Sequence, residues 1–92
     1  MEQSETDMLR EQIETIDEKI IDLIATRLEI ADELAKAKKH ASESYWNEDK
    51  EHEVVHRYQK LCEEVGLSSY EACQIAEVIL KISKERQRHY FE

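Results

Sequence analysis

The sequence predicts an all-α fold, and three observations carry that prediction. Proline is absent and glycine occurs once, at Gly66, so almost nothing punctuates the chain. Charged residues make up 38% and alternate with Leu, Ile and Ala, a mixture rich in helix formers and poor in strand formers. Apolar residues recur at steps of four and three, the spacing of a helix face, and not at steps of two.

The first helix is expected over about residues 5 to 40. Leu9, Ile13, Ile16, Ile20, Leu23, Arg27, Ile30 and Leu34 form one seam, broken only by Arg27. Ile21, Ile24, Leu28, Ala31 and Ala35 run beside it, so the middle of the helix must meet more than one neighbour. Such a helix is ~50 Å long at 1.5 Å per residue, whereas a compact monomer of this size has a radius of gyration near ~12 Å. Its own chain cannot cover it. The expectation is a three-helix protomer in an intertwined homodimeric helical bundle.

The second helix is expected over about 47 to 65, capped by Asn47 with Glu48 and Asp49 in its first turn. In "VGLSSYE", Gly66 stops that helix, and Ser68 with Glu71 forms a capping box that starts the third, over about 69 to 90. "HASESYW", residues 40 to 46, is the one polar loop of any length. Residues 1–92 therefore read as a single domain, with no repeat or linker.

Charge narrows the function. Acids outnumber bases 22 to 13 for a formal charge of -9, which repels nucleic acid and anionic membrane alike. Cys62 and Cys73 have no CxxC spacing, and no signal peptide or membrane-spanning run is visible, so the expectation is a cytoplasmic protein with reduced thiols.

One string points elsewhere. "KEHEVVHRY", residues 50 to 58, contains His52-Glu53-x-x-His56, the zinc-protease signature when on a helix. The apolar stripe of this helix is Val54, Val55, Tyr58, Leu61, Cys62 and Val65, with Glu51 in line with Val55, Tyr58 and Cys62. His52 and His56 fall about 100° or more from that line, on the solvent side, and no third ligand is in view. No metal is expected, and the two histidines are read as surface residues.

The charges on buried faces are more informative. Arg27 sits on an apolar seam, and Lys38, eleven residues later, lies only ~20° away on the same face. Glu51 heads the stripe of the second helix. On the third, Ala72, Ala76 and Ile79 are followed on one face by Ser83 and Gln87. Each has a bland explanation: Arg27 can snorkel, Glu51 can pair with Lys38, and Ser83 and Gln87 can lie on a frayed end. Together they describe a donor-rich cavity suited to a small polyanion bearing a hydroxyl group. No nucleophile and base pair, metal cluster or phosphate loop accompanies them, so covalent catalysis has no support.

This constellation resembles the all-helical AroQ class of chorismate mutases. The resemblance spans "LREQIETIDEKIIDLIATRLEIADELAKAKK", "NEDKE" and "ISKERQ", in order and without a gap from Arg10 to Gln87. It implies a cofactor-independent isomerase that converts chorismate to prephenate in phenylalanine and tyrosine biosynthesis, as a dimer with entwined first helices and two active sites. By position it implies that Arg27 grips a substrate carboxylate and that Arg10 reaches in from the partner subunit. Lys38 and Gln87 then address the ether oxygen, Glu51 the ring hydroxyl, and Ser83 a further carboxylate. Asn47 stands where the family has an aspartate and is a candidate binding residue: acting through its backbone N–H it would serve as well, whereas a role for the carboxylate would alter affinity or specificity.

Two alternatives stay open on the sequence. Isochorismate pyruvate lyase uses a similar cationic pocket on the same fold. A non-enzymatic helical dimerisation module would use Arg27, Lys38 and Glu51 as a buried network that sets register.

Overall fold

A computed structural model describes residues 2–92 and consists of three helices, α1 (Glu5–His40), α2 (Glu48–Glu64) and α3 (Ser69–Phe91). The predicted elements are therefore present with ends within a residue or so of those expected. Among the described residues there is no strand.

Local chemistry sets each boundary. The Ser4 hydroxyl accepts from Asp7 N at the start of α1, and Asn47 Oδ1 accepts from Asp49 N and Lys50 N at the start of α2. At α3 the box is reciprocal: Glu71 N donates to Ser68 Oγ at 3.0 Å and Ser68 N donates to Glu71 Oε1 at 2.8 Å. These bonds, the backbone one first, hold the Glu71 carboxyl below the usual carboxylate range.

Both α1 and α2 end in a left-handed residue that closes a Schellman motif. Gly66 has φ +81, with Leu67 N donating to Cys62 O and Gly66 N to Glu63 O. Ser42 takes the same role at φ 59, with Glu43 N donating to Lys38 O and Ser42 N to Lys39 O. A side chain at that φ carries a steric cost glycine avoids. The α1–α2 loop is thus turned sharply back at Lys38.

Helix α3 is the centre of the protomer. It packs against both α1 and α2, whose backbones do not approach each other closely. Its buried line is Ala72, Ala76, Leu80, Ser83 and Gln87, facing Ala31 and Ala35 of α1 and Cys62 of α2. The expected line is corrected at one place: Leu80, not Ile79, occupies the buried position, and Ile79 is half-buried. The small alanines let the helix backbones approach closely.

The amino-terminal half of α1 is uncovered. The radius of gyration is 17.2 Å and the extents are 62 × 27 × 15 Å, well beyond the ~12 Å of a compact chain of this length. The seam from Leu9 to Leu34 stays open in the protomer; Leu23 is 70% exposed and Ile16 54%. Leu61 on α2 and Val65 at its carboxyl-terminal cap are exposed as well. No helix is long and apolar enough to cross a membrane among the described residues.

Candidate active site

A cleft of about 260 Å³ lies where the carboxyl-terminal half of α1, the loop, the start of α2 and the end of α3 meet. Arg27 and Lys38 enter it from α1, Asn47 and Glu51 from the start of α2, and Ser83 and Gln87 from α3. Six of the seven predicted site residues are therefore brought to one cavity. Ile30, Ala31, Leu34, Val54 and Leu80 supply its apolar wall.

The α1 residues arrive together because eleven residues make just over three whole turns, which aligns Arg27 with Lys38. On α3, Ser83 and Gln87 stand one turn apart and are nearly completely buried, at 3% and 2% exposure. Buried polar groups need partners, and these have them. Gln87 Nε2 donates to Ser83 Oγ at 3.1 Å, and Lys38 Nζ donates to Gln87 Oε1 at 2.7 Å.

Lys38 also donates to the Tyr45 carbonyl at 2.9 Å, so two of its three ammonium protons are engaged and one is left. Burial pushes its pKa below the ordinary lysine range, with the Glu43 carboxylate partly opposing. The amide of Gln87 likewise keeps one N–H beyond the one given to Ser83. One donor from each group thus remains at the cleft.

Arg10 is not part of this assembly. It sits near the exposed start of α1, 72% exposed, and pairs with Asp7 at 3.7 Å. Among the described residues His52 and His56 are both exposed, and no three His, Cys, Asp or Glu side chains gather to hold a metal.

The sequence reading overlooked two residues of the cleft, Trp46 and Lys50. Signals for both existed. Lys50 is a cation in the first turn of a helix otherwise opened by acids, against the macrodipole. Trp46 is a large aromatic, the chain's single tryptophan, at the end of a polar loop. With Lys50, the cleft holds three cationic side chains against one carboxylate, in a protein of net charge -9. That local inversion of sign favours an anionic ligand over any other.

The sequence profile of the family described as chorismate mutase type II matches residues 9–88, which include all seven predicted site residues. The chain belongs to the chorismate mutase type II family. It is 29% identical over 84 residues to the chorismate mutase of Methanocaldococcus jannaschii, a match covering 91% of this chain and 85% of that protein. Membership makes it an enzyme of the isomerase class with chorismate mutase activity. The all-helical protomer agrees with the type II fold.

Proposed function

We propose that the protein rearranges chorismate to prephenate in this cleft by holding the reactive conformer and stabilising charge on the breaking ether oxygen. The reaction cleaves one C–O bond and forms one C–C bond within a single molecule. It needs neither a nucleophile nor a proton transfer. What remains for the protein is positioning and electrostatics.

The observation that carries this reading is the part-buried Lys38–Gln87 contact at 2.7 Å inside a cationic cleft. Negative charge grows on the ether oxygen as the bond lengthens, and the remaining N–H groups of Lys38 and Gln87 are the donors placed to meet it. Arg27 clamps a carboxylate, where a planar guanidinium can bond bidentately. Ser83 offers its hydroxyl to a second carboxylate, and Glu51 accepts from the ring hydroxyl. Asn47 Oδ1 is committed to capping α2, so Asn47 contributes by fixing the helix start and the loop before it.

The proposal includes a homodimer in which Arg10 of each protomer enters the other's cleft. The long open seam of α1 supports it, since a second copy of the same seam would bury Leu9, Ile13, Ile16, Ile20 and Leu23. An exposed arginine far from its own cleft also fits service to another.

A bicyclic dicarboxylate that mimics the folded transition state tests the site. It should raise the melting temperature of the wild-type protein, and Arg27→Ala should abolish the shift. No stabilisation of the wild type would favour a purely structural role for the buried charges.

A further inference from the structure

We infer that Trp46 is a positioning residue for Lys38, whose indole face, with the neighbouring Tyr45 carbonyl, holds the ammonium beside Gln87. The inference rests on the reading of Lys38 as the cation that meets the ether oxygen. Lys38 Nζ lies 5.6 Å from the centroid of the Trp46 ring, within cation–π range. Adjacent loop residues thus grip one ammonium in two ways, Tyr45 through its carbonyl and Trp46 through its ring.

The loop is built to present this grip. Its turn begins at the left-handed Ser42, Glu43 N bonds back to the Lys38 carbonyl, and Ser44 Oγ donates to the Trp46 carbonyl at 2.8 Å. The ring itself is held by its face. Its indole N–H is buried and finds no acceptor within the protein, whereas Lys84 Nζ of α3 also stands 5.6 Å from the ring centroid. Trp46 therefore links the loop to α1 through Lys38 and to α3 through Lys84.

The consequence is orientation. A lysine side chain has four rotatable bonds and disperses its charge unless several partners fix it. With Tyr45, Trp46 and Gln87 around it, the ammonium is fixed in the cleft lining with one N–H uncommitted. A misplaced donor loses transition-state stabilisation while leaving carboxylate clamping by other residues intact.

Kinetics of purified Trp46→Leu and Trp46→Phe on chorismate test this. Trp46→Leu should lower kcat on the order of tenfold with KM changed less than roughly threefold, and Trp46→Phe, which restores a π face, should recover most of the loss. In a Lys38→Met background, Trp46→Leu should cost nothing further. Equal losses in the Leu and Phe variants, a loss confined to KM, or a loss that persists without Lys38 would each overturn the inference. Should Trp46→Leu fail to fold, the emission of the single tryptophan decides instead. Lys38→Met should shift it, and unchanged emission would overturn the contact whether or not the wild-type protein forms prephenate.

Discussion

Lys38 and Gln87, 49 residues apart in sequence, meet at 2.7 Å in the lining of the cleft, the ammonium donating to the amide oxygen. The relationship makes the two side chains a unit. Gln87 is oriented by accepting from Lys38 and donating to Ser83, and Lys38 is held by Gln87 and the loop.

Removing the cation should therefore affect chemistry more than binding. Lys38→Ala is expected to lower kcat by about 100-fold or more, the usual effect of deleting a donor to developing charge, with a much smaller change in KM. Steady-state kinetics on chorismate check it. Small and equal changes in both constants would remove Lys38 from its role.

The pH dependence has a definite sign. Burial depresses the Lys38 pKa, so the ammonium loses its proton below the ordinary lysine range, and kcat/KM should fall there on the alkaline side. Over the same window the unfolded chain holds the proton that the folded chain has released, so this group's contribution to stability rises with pH. Activity lost without unfolding is the expected pairing. Gln87 carries no ionisable proton, so a requirement for a protonated group near neutrality would contradict the assignment.

Arg10 gives a test of subunit sharing. If each Arg10 serves the partner's cleft, Arg10→Ala and Arg27→Ala are both nearly inactive alone, yet a mixed dimer contains one intact site. Mixing after reversible dissociation should restore roughly a quarter of wild-type activity, because about half the dimers are mixed and half their sites are whole. No recovery on mixing would mean that Arg10 does not act across the interface.

The two left-handed turn residues predict opposite changes in stability. Ser42→Gly removes a side chain from φ 59 and should stabilise by roughly 0.5 kcal/mol, the relief of strain being partly offset by glycine's freedom in the unfolded chain. Gly66→Ala meets open space, with nothing within 4 Å, but places a Cβ at φ +81 and should cost about 1 kcal/mol. Denaturant midpoints at constant slope measure both.

The sequence made the local structure readable where a few neighbouring residues decide it. Asn47, Gly66 and the Ser68–Glu71 box fixed helix ends within a residue or so, because caps depend only on nearby backbone. Helical spacing placed Arg27, Lys38, Glu51, Ser83 and Gln87 on converging faces, since the angle between positions on one helix is set by geometry. Ser42 as a left-handed cap was not readable, for glycine is the residue that signals it. Nor was the grip on Lys38, which arises where a loop folds back through a backbone carbonyl and a ring face. Leu61 and Val65 mark the limit of periodicity: it defines an apolar face, not what covers it.

The most direct test follows purified protein on chorismate in the presence of EDTA, with isochorismate assayed in parallel and all products identified. The account predicts prephenate from chorismate, undiminished by the chelator and formed far more slowly by Lys38→Ala. Activity that needs added metal, or salicylate and pyruvate from isochorismate without prephenate from chorismate, would contradict it.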